Sequence, residues 1–183
     1  MSLGAKRAAA LTMTIITTAL LGGCAMQEQD ATGPGFADAR EQVLDRTRFT
    51  IEASGLPDGW VRGTATPWDP QTAEFYASPC STGEGGSGAG RIELTLDHDP
   101  LPDDDAEAVV RAVWDAWEGE GYDVSWVVGP GDVDVEHVDL SLRVDGADGL
   151  VAVFGATEHL VSMDVMSDCS TRPDMDPRPG RSG

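Results

Sequence analysis

The stretch from residue 138 to residue 165 restricts this chain most. Val138, Leu140, Leu142 and Val144 alternate with Asp139, Ser141, Arg143 and Asp145, and further on Val161, Met163 and Val165 alternate with Ser162, Asp164 and Met166. A period of two marks strands that lay one face on a core and leave the other to water. Between the two alternating runs, residues 145–149 read as a hairpin loop and residues 150–154 as a near-continuous apolar run, which predicts a central strand covered on both faces. Connections this short leave no room for a crossover helix, so these strands must be antiparallel neighbours.

The same reasoning extends upstream. Tyr122, Val124, Trp126 and Val128 share one face before the turn at Gly129, Pro130 and Gly131, and Ile92, Leu94 and Leu96 alternate with Arg91, Glu93, Thr95 and Asp97. Between these strands Ala106, Val109, Val110, Val113, Trp114 and Trp117 recur at helical spacing. Asp104 is the expected N-cap with Glu107 at the capping-box position, and Gly119 and Gly121 are the stop. A first helix is expected over residues 36–53, on a stripe of Phe36, Ala39, Val43, Thr47 and Ile51, ending at Ser54 and Gly55. Short strands around Trp60 and over residues 75–80 flank the turn at Pro67, Trp68, Asp69 and Pro70. The expected fold is α+β: a single twisted antiparallel sheet with two helices packed on one face.

The chain has 183 residues, and its first 23 are set apart. Lys6 and Arg7 precede an apolar run from Ala8 to Leu21, the n-region and h-region of an export signal. Directly behind it, Leu21, Gly22, Gly23 and Cys24 resemble the lipobox of bacterial lipoproteins. That resemblance implies a diacylglyceryl group on the Cys24 sulfur, cleavage just before Cys24, and a place on the extracytoplasmic face of the membrane. Residues 25–35 lack any apolar period and read as a flexible tether; eleven such residues have an r.m.s. reach of roughly 17 to 20 Å. One domain is expected over residues 36–169, and from Ser170 onward Pro, Arg, Asp and Gly predict a disordered tail.

Charge supports attachment by lipid. With Lys6 and Arg7 in the leader, the remainder carries 10 basic against 32 acidic residues, a formal −22. Such a surface repels phosphate backbones and anionic headgroups, which excludes nucleic acid as a partner and charge-driven membrane binding. Two acyl chains, at about 0.8 kcal/mol per buried methylene, hold a protein where charge does not. Lysine is absent after Lys6, while Asp, Gly, Ala and Val are abundant, a usage that resembles exported proteins of high-GC actinobacteria. With Cys24 assigned to lipid, Cys80 and Cys169 remain as an even pair in an oxidising compartment, where a disulfide is expected.

The residues that carry known chemistries do not assemble a motif. Gly83, Gly85 and Gly88 spell G-x-G-x-x-G in a glycine-rich excursion, but a strand follows where a dinucleotide site needs a helix. Asp132, Asp134 and Glu136 imitate the start of an EF-hand, yet His137 stands where glycine is required and Arg143 where a bidentate glutamate is required. Asp97, His98 and Asp99 with Asp103 to Asp105 form a second acidic group, of which the last three have a capping role. His98, His137 and His159 lie far apart, without the H-x-x-x-H spacing that pins two zinc ligands to one helix. No G-x-S-x-G elbow is present. Of the five tryptophans, Trp114 and Trp126 are assigned to the core, Trp117 to its edge, and Trp68 to the surface.

In layout, a helix, a tryptophan segment and a cysteine before a strand, a helix and a meander ending in a second cysteine, the chain resembles small actinobacterial envelope lipoproteins. The likeness is carried by Trp60, Cys80, Trp114 and Cys169 and implies no activity. The expected function is therefore a membrane-tethered, non-catalytic binding or interaction domain without metal or cofactor. It meets the membrane through lipid on Cys24 and takes either an envelope protein or a small apolar ligand between helix and sheet. The alternatives are an envelope hydrolase whose site no motif marks, and an acidic cation-binding surface protein.

Overall fold

The computed structural model describes residues 31–63, 66–81, 88–98, 105–131, 139–157 and 159–177. The export signal over residues 1–23, Cys24, Gly83 and Gly85, Asp99, Asp103, Asp104, Asp132, Asp134, Glu136 and His137 lie outside them. The described elements run α1 (Phe36–Ser54), β1 (Trp60–Arg62), β2 (Thr66–Pro67), β3 (Ala77–Pro79), β4 (Gly90–His98), α2 (Ala106–Gly119), β5 (Asp123–Val128), β6 (Asp139–Asp145), β7 (Val151–Thr157), β8 (Val161–Met166) and a 3-10 turn at Pro173–Met175.

All strand pairs are antiparallel, in the order β2-β1-β4-β8-β7-β6-β5. β1 holds the far end of the free edge of β4 and β3 its near end. The register lines up apolar residues from strand to strand: Leu94 faces Val165, Val165 faces Ala152, Ala152 faces Val144 and Val144 faces Val124, with Leu96, Met163, Phe154, Leu142 and Trp126 in the row above. These rows make one continuous apolar floor, and both helices pack on it, α1 over β4 and β8 and α2 over β5 to β7. The α+β architecture expected from the alternation is the one observed.

β7 lies inside the sheet, but with one covered face. Ala152, Phe154 and Ala156 are buried, while Val151, Val153 and Gly155 are half-buried on the opposite, helix-free side. The expectation of two covered faces fails because a single helical layer is present and the valines are sheltered only by neighbouring side chains.

The tryptophan assignments also shift. The buried face of α2 runs through Ala106, Val110, Val113 and Trp117, and Trp117 is fully buried. Its indole Nε1 donates to Thr50 Oγ1 on α1 at 3.2 Å. Trp114, one step round the helix, stands at the flank and stacks on Trp126 of the edge strand β5, 5.0 Å between ring centroids, with both half-buried. Trp68 is half-buried against the core's margin. The cap of α2 is Asp105, whose carboxylate accepts from the Ala108 N–H at 2.9 Å, so the helix starts one residue later than expected and Glu107 pairs with Arg111 instead.

The two ends of the chain hold each other. Thr32 and Thr171 exchange hydrogen bonds, Thr32 N–H to Thr171 Oγ1 at 2.9 Å and Thr171 N–H to the Thr32 carbonyl at 3.0 Å. Arg172 Nε donates to the Gly33 carbonyl, and Gly33 has φ +85°, with space for no side chain beside the Cys169 carbonyl. The first residue of α1 donates its N–H to the Asp174 carboxylate at 2.9 Å, which replaces the cap that Gly35 lacks. Met175 is fully buried. The expectation of a flexible tether is therefore corrected over residues 31–35, and that of a disordered tail over residues 170–177. Polar composition suggested disorder, but here the backbone groups are satisfied reciprocally by the other terminus. Residues 178–183 lie outside the described residues. Beside this clasp the expected Cys80–Cys169 disulfide is formed, with Cα atoms 6.1 Å apart.

Candidate functional site

A cavity of about 320 Å³ opens beside α1, lined by Gln42, Asp45, Arg46, Phe49, Glu120, Tyr122, Asp148 and Leu150. Three local structures build it. Residues 42, 45, 46 and 49 fall at helical spacing on one stripe of α1, next to the stripe of Ala39, Val43, Thr47 and Thr50 that faces the sheet. The second wall comes from the end of α2, where Gly121 at φ +84° closes a Schellman turn: its N–H bonds the Glu118 carbonyl and the Tyr122 N–H bonds the Trp117 carbonyl. That turn sends Tyr122 back towards α1. The third wall is the β6–β7 hairpin, whose Asp148 carboxylate accepts from the Leu150 N–H at 3.2 Å.

Arg46 dominates the site. It is 7 % exposed, and its guanidinium carbon lies 3.7 Å from the centre of the Tyr122 ring. Its Nη1 has no hydrogen-bond partner, and neither has the buried Oε1 of Gln42 one turn earlier. The adjacent Asp45 is engaged elsewhere, by Arg48 at 2.6 Å. A buried charge without an ion-pair partner costs several kcal/mol, whereas contact with an aromatic face returns about 2 kcal/mol. The imbalance leaves a buried donor and a buried acceptor one helical turn apart on the stripe of α1 that lines the cavity, both without a partner among the described residues. Phe49 and Leu150 supply apolar wall, and Glu120 and Asp148 bring negative charge.

The residues singled out by sequence stand elsewhere. His98 is buried against Trp60, ring centroids 5.3 Å apart, with Nε2 at 2.8 Å from the Asp58 carbonyl. Gly59 at φ +92° is required there, since a Cβ would lie 2.8 Å from that nitrogen. His159 sits in the β7–β8 turn, its N–H on Thr157 Oγ1. Among the described residues no group of three His, Cys, Asp or Glu side chains is disposed to hold a metal ion. The space between α2 and the sheet, where an apolar ligand was expected, is filled by Trp117 and Phe154. A smaller cavity of about 250 Å³ lies on the face that no described helix covers, among Glu93, Thr95, Val153, Asp164 and Met166, where Thr95 donates to Asp164.

The Arg143 guanidinium holds the Asp145 carboxyl below its ordinary range, and the hydrogen bond from Tyr76 to Glu74 raises the phenol. Arg46 escaped sequence reasoning because one arginine on a helix of mixed polarity looks like a solvated residue. The available signal was Phe49, an aromatic side chain at helical spacing from Gln42 and Arg46 off the main apolar stripe. No helix among the described residues is long and apolar enough to cross a membrane. Comparison with known protein families, curated proteins and solved structures finds none that matches this chain.

Proposed function

We propose that the chain is a membrane-tethered, extracytoplasmic lipoprotein whose folded domain binds a small charged molecule beside α1 and does no catalysis. The observation that carries the binding reading is Arg46, a buried cation in the lining of a ligand-sized cavity whose Nη1 has no hydrogen-bond partner among the described residues. Attachment rests on the lipobox-like Leu21 to Cys24 and on a charge that no anionic membrane attracts. Thr32 is bonded to Thr171, and the seven residues between Cys24 and Thr32 allow a separation of at most about 28 Å. The domain thus works close to the surface that holds it.

The test is a thermal-shift panel on the full chain in detergent, with amino acids, carboxylates, amines and inorganic phosphate each at millimolar concentration. At least one class should raise Tm, and Arg46→Met should remove the rise. A flat response across the panel refutes the binding reading. Incorporation of a labelled fatty acid into the wild type, and its loss in Cys24→Ser, tests the anchor separately.

A further inference from the structure

We infer that the molecule taken beside α1 is a free α-amino acid with an aliphatic side chain, a deepening that rests on the binding reading above. The unsatisfied groups define the ligand's polar half. Arg46 Nη1 is a buried donor that asks for an anion, and a guanidinium held over the Tyr122 ring carries a planar fork of N–H donors, the geometry that suits a planar carboxylate. Gln42 Oε1, one helical turn away, is a buried acceptor that asks for an N–H. A carboxylate with an N–H one carbon away is the α-amino acid unit.

Electrostatics selects among molecules that contain this unit. The chain carries a formal −20, and Glu120 and Asp148 stand at the same opening as Arg46. A simple anion drawn to Arg46 meets these carboxylates and gains little, and a simple cation drawn to the carboxylates meets Arg46. A zwitterion satisfies both, its carboxylate on Arg46 and its ammonium on Gln42 Oε1 and the acids. Phe49 and Leu150 supply the apolar part of an otherwise polar lining, and an aliphatic side chain would rest on them while the polar residues take the ammonium and carboxylate. Of about 320 Å³, a free amino acid fills the greater part, with room left for bridging water.

The experiment is an NMR titration of the isotope-labelled full chain in detergent, read on the Arg46 Nε–Hε resonance and on the backbone amides of residues 42–49 and 120–122. The three probes are L-leucine, N-acetyl-L-leucine and L-leucinamide. Leucine should shift these resonances saturably, N-acetyl-leucine should bind at least tenfold more weakly, and leucinamide should not bind. Arg46→Lys should weaken leucine at least tenfold, because an ammonium cannot reproduce the edge of a guanidinium. Glu120→Gln, an exposed change that leaves the core untouched, should weaken leucine about three- to tenfold and strengthen N-acetyl-leucine, whose carboxylate it no longer repels. Equal binding of leucine and N-acetyl-leucine overturns the inference in favour of a peptide C-terminus while the binding reading stands. Binding of another class in the thermal panel with no response to leucine overturns the inference alone; silence in both overturns the two together.

Discussion

Replacing both bridged cysteines, Cys80→Ala with Cys169→Ala, should lower stability by 2 to 4.6 kcal/mol while leaving the native structure almost unchanged. The upper figure follows from the 89-residue separation: closing a loop of that length in the unfolded chain is worth about 4.6 kcal/mol in the chain-entropy model. The native side of the balance is readable from the surroundings. Cys80 N–H bonds the Ala89 carbonyl at 3.1 Å, and Ser170 and Gly90 exchange two backbone bonds at 2.8 and 2.9 Å. The backbone at both cysteines is thus held by bonds that survive removal of the sulfurs, so the loss is expressed mainly in a less constrained unfolded state. Urea unfolding followed by tryptophan fluorescence should show a lower midpoint, by about 1.5 M for a 3 kcal/mol loss at a slope near 2 kcal/mol/M, with the slope itself raised. Amide exchange of β4 and β8 under native conditions should keep its pattern. A loss below about 1 kcal/mol, or selective collapse of the pairing between residues 31–35 and 170–177 with the rest unaffected, would refute the argument.

Other perturbations test single contacts. Asp174→Ala removes the carboxylate that caps Phe36 and should cost about 1 kcal/mol, with faster exchange confined to the first turn of α1. Trp117→Ala empties the largest buried side chain of α2 and takes away a donor to Thr50, for a loss of about 3 to 5 kcal/mol in urea unfolding. Asp145 has its folded pKa depressed by Arg143, so its contribution is present above the unfolded carboxylate value near 3.9 and is lost as pH falls through the lower folded value. Because the pair is exposed and salt-screened, Asp145→Asn should shift stability at neutral pH by less than about 1 kcal/mol and reduce the acid sensitivity below pH 4.

How much of this was written locally differs from element to element. The meander β5 to β8 needed only a period of two and short turns, and both are local properties. The placement of β4 against β8 is not, since it pairs residues some 70 positions apart through a register that local alternation leaves open. The terminal clasp was hidden for another reason. Residues 170–177 contain one apolar side chain, Met175, and are ordered by hydrogen bonds to Thr32, Gly33 and Phe36, partners that no composition of the tail alone reveals. Likewise Arg46 became a buried residue of a cavity wall only when the Schellman turn after α2 set Tyr122 against it, a tertiary event. Cys80 and Cys169 were the reverse case, since once Cys24 was set aside for lipid they were the two cysteines left to pair.

Arg46 also separates a structural role from a functional one. If the guanidinium served the fold, its replacement by a side chain of similar length would cost the stacking on Tyr122 and more. If it waits for an anion, the empty protein bears an uncompensated buried charge, and an apolar replacement of similar volume relieves it; exchanges of buried ionic groups for apolar ones are often neutral or stabilising by about 1 to 4 kcal/mol. Arg46→Met should therefore leave the ligand-free protein between unchanged and about 2 kcal/mol more stable in urea, while removing the response to leucine. A loss of more than about 2 kcal/mol would make Arg46 a strut of the α1–α2 junction. Stability gained together with binding lost is the signature of a site strained for its ligand, at an opening that Arg46 shares with Asp45, Glu120 and Asp148.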